Sequence, residues 1–189
     1  MYSDVSQTEN KAKITELFEK ATVASESFID ALAGLIHFNE ENKDADEQVD
    51  LWGKQIVERV KLSEFSANNP NVLVRLIQCK VKHPDTCRIK NELIEEIYNA
   101  ALSNEYIPAD VKAILLSSYS RYFFIVKKRR EFGIQMMMKA SDMAYDNTEF
   151  QLQLTDMLLF MNRVDEAKKR LEAVEKEDTL GRHQLQLRN

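Results

Sequence analysis

The stretch Leu158-Leu159-Phe160-Met161-Asn162-Arg163-Val164-Asp165-Glu166-Ala167-Lys168-Lys169-Arg170-Leu171 decides the fold. It reads as the end of one helix, a polar turn and the start of a second helix. The small Ala167 comes early in that second helix, with Leu171 and Val174 at packing positions behind it. Thirty-four residues earlier, Phe124 to Gly133 repeats the design: Lys128-Arg129-Arg130 is the polar turn and Gly133 stands where Ala167 stands. A small residue there lets two antiparallel helices approach closely. Such a pair is one supersecondary unit that buries its apolar face against neighbouring copies.

The same helical spacing runs through most of the chain. Ile14, Leu17, Phe18 and Ala21 follow i, i+3, i+4, i+7, and Phe28 to about Glu41 carries Ile29, Leu32, Leu35, Ile36 and Phe38. After the polar run Glu40–Glu47, a third helix carries Val49, Trp52, Ile56, Val57 and Val60. Ser66-Ala67-Asn68-Asn69-Pro70 breaks the pattern before Val72, Leu73, Leu76, Ile77 and Val81. His83-Pro84-Asp85-Thr86 is the next break, where Asp85 or Thr86 is suited to cap a helix bearing Ile89, Leu93, Ile94, Ile97, Tyr98, Ala101 and Leu102. Pro108 suits a first helical turn before a helix from Val111 to about Val126. Phe132–Tyr145, Phe150–Met161 and Val164 to about Lys176 complete about nine helices. All three prolines fall at breaks, so pattern and punctuation agree on an all-α fold.

Composition points the same way. The 189 residues hold four glycines and three prolines, where average usage gives roughly thirteen and nine. Sheet-rich folds spend glycine on tight turns and phosphate loops, so the composition argues against sandwiches, barrels and dinucleotide-binding sheets. A net charge of −5 argues against nucleic acid as the main partner. Apolar residues at 44% and charged residues at 30% describe a chain that folds around a core, and no uncharged run is long enough to span a bilayer.

Asn162-Arg163-Val164-Asp165-Glu166-Ala167-Lys168-Lys169-Arg170-Leu171 resembles the turn and second helix of a tetratricopeptide repeat, and Lys128 through Met137, Ala140 and Asp146-Asn147 resembles the preceding copy. The resemblance covers about seventy residues. It implies stacked antiparallel hairpins in a right-handed superhelix whose concave face captures a protein or peptide. Arg121 departs from it, standing where the family has a small residue. The expected organisation is one all-α domain, 1–189, with divergent hairpins over 11–110, repeat-like hairpins over 111–178 and a polar tail over 179–189. A looser resemblance, carried by Asn69-Pro70-Asn71-Val72-Leu73, Cys79, Cys87 and the helical pairs that follow, is to the soluble C-terminal tails of bacterial inner-membrane glycan polymerases, ligases and glycosyltransferases. It implies a piece of a larger envelope protein facing the periplasm, with the membrane part of that parent as a second partner. On that view Lys11–Ala24 is the second helix of a pair whose first lies elsewhere.

Cys79 and Cys87 flank the turn at Pro84. A bridge between them requires Cα atoms about 4.4–6.8 Å apart, would stabilise by roughly 2–3 kcal/mol and would imply an oxidising compartment. Two reduced thiols in a cytosolic protein fit the residues equally well. Cys79-x3-His83-x3-Cys87 offers three ligands where structural zinc takes four, so no metal or cofactor is expected. The other histidines, His37 and His183, belong to no motif with a mechanism, and the carboxylates, such as Glu40-Glu41, Glu95-Glu96 and Glu166, read as solvated faces. No catalytic residue is therefore expected.

Tyr122, Lys127, Lys128, Arg129 and Arg130 form a cationic, aromatic cluster. It reads either as an anionic-ligand surface or as a helix C-terminus whose macrodipole favours Lys and Arg. Met136-Met137-Met138 points around its helix and reads chiefly as core. The function expected is a non-catalytic interaction or scaffolding module of an envelope protein linked to surface-glycan assembly. A free-standing cytosolic adaptor, or a bundle enzyme using carboxylates and His37, are the alternatives.

Overall fold

A computed structural model describes residues 12–17, 20–21, 28–39, 46–61, 70–82, 84–85, 87, 89–172 and 175. Every regular element among them is α-helical, as the periodicity requires. In order, α1 is Phe28–Asn39, α2 Asp46–Lys61, α3 Pro70–Lys82, α4 Asn91–Ser103, α5 Ala109–Ile125, α6 Arg130–Met143 and α7 Thr148–Phe160. A further helical stretch covers 12–17, and another covers 164–172.

Local chemistry accounts for most boundaries. Pro70 opens α3, and Pro108 directly precedes α5, its carbonyl accepting from Lys112 N at 2.9 Å. Asn147 caps α7, its Oδ1 accepting from Glu149 N and Phe150 N at 3.1 and 3.3 Å. α2 begins at Asp46, inside the run read as a connection, because Asp46 and Glu47 place negative charge on the positive end of the helix dipole. One expectation is corrected: Asp85 caps nothing. It sits exposed in a turn, and α4 starts only at Asn91, after Lys90, whose side chain forms no cap. Between them Cys87 and Ile89 are buried, and Lys80 Nζ donates to the Cys87 carbonyl. Burial of that short segment displaces the helix start.

The helices form two layers. α1 packs on α2 and α3, α3 on α5, α2 on α4, and α4 on α5. α7 continues the odd-numbered layer: Ser117 Oγ donates to Gln153 Oε1 at 3.0 Å, and the Phe124 and Phe160 rings meet edge to face at 5.4 Å. Both pairs are thirty-six residues apart, so α5 and α7 run in the same direction. Arg163 and Arg170 tie the last helical stretch to α6 through Glu131 at 3.0 Å and Asp142 at 3.4 Å.

α5 belongs to two cores at once. Val111, Leu115, Tyr119, Tyr122 and Phe123 join the cluster built on α1–α4, whereas Ala113 and Phe124 join Ile134, Met137, Ala140, Leu154, Leu158 and Ala167. A helix buried on nearly every side has no polar face, which explains its weak amphipathic pattern. Small residues make the burial feasible. A Cβ on Gly133 would lie 2.8 Å from the Ser120 carbonyl oxygen and 3.0 Å from Phe124 Cβ, so α6 reaches this distance from α5 only without one.

The thirty-four-residue repeat is visible in the backbone. Lys128 and Asn162 both adopt the left-handed conformation, at φ 54° and 58°. The second turn closes with Arg163 N donating to Leu158 O and Asn162 N to Leu159 O, the paired bonds of a Schellman cap. The first is one residue wider, with Arg129 N donating to Phe123 O. The helices that follow start in register, Gly133 N bonding Arg129 O and Ala167 N bonding Arg163 O.

Candidate functional site

Parallel packing of α5 and α7 leaves a groove of about 570 Å³ beside their C-terminal halves. Phe124 and Ile125 from α5 and Met157 and Phe160 from α7 supply its apolar lining. Among the described residues Arg121, Lys128 and Arg130 supply three cations, against one lining carboxylate, Asp156. Gln153 forms one end, its amide held between Ser117 Oγ and Glu149 Oε1 at 3.0 and 2.9 Å.

Phe160 is 62% exposed yet fixed in place. Its edge-to-face contact with Phe124 holds one side, and the Arg130 guanidinium lies over its ring, 4.8 Å from the centroid. A guanidinium over an aromatic ring is attracted by the ring quadrupole while its N–H groups stay free to bond elsewhere. Arg121 and Lys128 have no carboxylate within ion-pair distance among the described residues.

The five-residue cluster read from the sequence is split by the fold. Tyr122 is a correction: it is fully buried and offers no surface. Its hydroxyl donates to Glu95 Oε1 at 3.2 Å, and its ring stacks on Tyr119. Lys127 is committed to Glu95 at 2.7 Å, so it too serves the α4–α5 contact. Arg129 lies over the Phe123 and Phe132 rings, at 5.5 and 4.8 Å from their centroids, on the opposite side of the turn. Only Lys128 and Arg130 reach the groove. Sequence adjacency is a poor guide here, because the left-handed Lys128 reverses the chain and sends neighbouring side chains to different faces.

Arg121, Gln153, Asp156, Met157 and Phe160 were not singled out as groove residues by the sequence. Arg121 carried a signal nonetheless, as a charged residue where the repeat pattern has a small one. It points into the groove, and Ser120 beside it makes the close contact with α6. Among the methionines, Met137 is fully buried and Met136 and Met138 are half-buried, as core filling requires.

Burial is the main cause raising the phenol pKa values of Tyr98, Tyr119 and Tyr122, and the Glu95 charge adds to it for the last two. Lys90 is raised by its hydrogen bond to Asp50, and Glu166 is lowered by the hydrogen bond it accepts from Arg163. None of these groups lines the groove. Among the described residues no three His, Cys, Asp or Glu side chains converge as a metal site. Nor, among the described residues, is any helix long and apolar enough to cross a membrane. Cys87 is buried and disulfide-bonded. The side chains of Cys79 and His37, and all of His83, His183 and the tail over 179–189, lie outside the described residues.

Compared with protein-family models, with curated proteins and with solved structures, the chain matches none. The tetratricopeptide reading therefore rests on the chain's own repeat.

Proposed function

We propose that this chain is a non-catalytic protein-interaction module of tetratricopeptide-like hairpins that captures a partner segment in the groove between α5 and α7. One observation carries the reading: Phe160, more than half exposed, is held rigid by Phe124 and Arg130 above an apolar floor. A pre-ordered aromatic beside an arginine is the composition of an interface hot spot, since little side-chain entropy remains to be lost on binding. The left-handed turns at Lys128 and Asn162 and the registered helix starts at Gly133 and Ala167 support the hairpin repeat. Among the described residues the groove lining holds one carboxylate, Asp156, and no histidine, which favours a binding role over hydrolytic chemistry by a paired acid and base.

The disulfide at Cys87 favours an extracytoplasmic setting over the cytosolic adaptor, because such bonds persist in oxidising compartments. That supports placing the module in an envelope protein, with surface-glycan assembly as the context implied by the looser resemblance.

The test is site-specific photocrosslinking in cells. A photoreactive residue at Gln153 is expected to trap a recurrent protein partner, while one at the 82%-exposed Tyr106, far from the groove, traps none. Equal trapping from both positions, or none from Gln153, refutes the proposal.

A further inference from the structure

We infer that the occupant of the α5–α7 groove is an acidic polypeptide segment presenting one large apolar side chain between its carboxylates; this rests on the reading of the groove as a partner site. The charge balance is the first argument. The chain carries a net −5, yet among the described residues this groove gathers Arg121, Lys128 and Arg130 against Asp156. A local excess of cations on an acidic protein opposes the global field, and selects an anionic partner by complementarity.

The second argument is the state of those cations. Several basic groups of this protein are matched, Lys90 with Asp50, Lys127 with Glu95, Arg163 with Glu131 and Glu166, and Arg170 with Asp142, whereas among the described residues scattered exposed lysines such as Lys54, Lys139 and Lys168 are not. Arg121 and Lys128 have no such match among the described residues. The Arg130 guanidinium lies over the Phe160 ring and has no carboxylate within ion-pair distance among the described residues, so its N–H groups are available to a carboxylate in a two-point bond.

The third argument is the arrangement along the groove. Arg121 precedes Ile125 by one helical turn, and Lys128 follows it across the helix end, so cations flank the apolar centre made by Ile125, Met157 and Phe160. A volume of about 570 Å³ lies within the range of sites that enclose a compact group, and the thioether of Met157 adapts to different apolar shapes. Acid, apolar, acid is the complement of that order.

The test is selection of random dodecapeptides displayed on phage against the full chain, followed by polarisation titrations with the enriched sequences. Two variants accompany it, Arg121→Glu/Lys128→Glu and Phe160→Ala, each checked for unchanged helicity and melting. Enriched peptides are expected to be acidic with one bulky apolar residue. Each variant is expected to weaken them at least about tenfold, and raising salt to weaken them further. Neutral or basic peptides that depend on Phe160 overturn the acidic partner while leaving the groove as a partner site. No enrichment, or peptides indifferent to both variants, overturns both readings. Binding to phosphatidylglycerol vesicles in place of peptides, lost in Arg121→Glu/Lys128→Glu, also overturns the acidic segment by assigning the cations to a membrane surface.

Discussion

Lys128 and Asn162 stand thirty-four residues apart and share a left-handed backbone, at φ 54° and 58°, each ending one helix of a hairpin. Neither is glycine, although glycine is the residue this conformation favours. Asparagine tolerates it through its short polar side chain, whereas lysine carries the full Cβ penalty of roughly 1–2 kcal/mol. The expected outcome is therefore asymmetric: Lys128→Gly raises stability by about 1 kcal/mol in urea unfolding, net of the entropy glycine adds to the unfolded chain, and Asn162→Gly changes it by a few tenths. Valine at either position lowers it. Equal gains from both glycines would contradict the assigned geometry.

Gly133 offers a reversal of the usual rule. At most helical positions Gly→Ala stabilises by about 1 kcal/mol. Here the added Cβ would meet the Ser120 carbonyl oxygen at 2.8 Å, a backbone atom that moves only with its helix. Gly133→Ala is expected to destabilise by about 1–3 kcal/mol through overpacking. The equivalent Ala167 already carries a Cβ at 1% exposure, so Ala167→Gly should cost about 1 kcal/mol by propensity. Chemical denaturation of the two variants measures both.

Tyr98 joins three helices through one hydroxyl. It donates to the Leu73 carbonyl at 2.9 Å and shares a 2.9 Å hydrogen bond with Ser118 Oγ, with the ring wholly buried. Tyr98→Phe removes both hydroxyl hydrogen bonds while keeping the shape, so the tie from α4 to the α3 backbone and to Ser118 is lost. A loss of about 1–3 kcal/mol is expected in the unfolding free energy, without change in helicity.

The same burial sets an alkaline limit. Tyr98, Tyr119 and Tyr122 have folded pKa values above the unfolded value of about 10, so the folded state holds these protons more tightly. The stabilisation is complete below that pH and is lost as pH climbs toward the folded values. Urea midpoints are expected to stay level from neutral pH to about 10 and then fall, together with the rise in phenolate absorbance. Phenolate appearing well before unfolding would show that the rings are open to solvent.

Cys87 predicts a redox-dependent stability. Titration of unreduced, denatured protein is expected to find no free thiol at this position, and reductant to lower the unfolding free energy by about 2–3 kcal/mol. Two titratable thiols in protein prepared without reductant would refute the bridge.

Helix identity was legible from residue spacing because each helix is stabilised by a stripe recurring every three or four residues, and that stripe is a one-dimensional fact. Trp52, Ile56, Val57 and Val60 show it, and all are buried on α2. The thirty-four-residue register at Gly133 and Ala167 was equally readable, since a close helix approach demands a small side chain wherever it occurs. The candidate site was half legible. Lys128 and Arg130 were visible as charge, but Tyr122 and Lys127 turned inward because α4 supplies Glu95 to both, a partner twenty-seven and thirty-two residues away. Arg121, Asp156 and Phe160 share a groove because α5 and α7 lie side by side in parallel, and no spacing within either helix encodes that neighbour. Local periodicity determined what each segment is. Which faces meet, and which cations are left facing solvent, was decided by packing between helices distant along the chain, where burial and pairing depend on the whole assembly of helices.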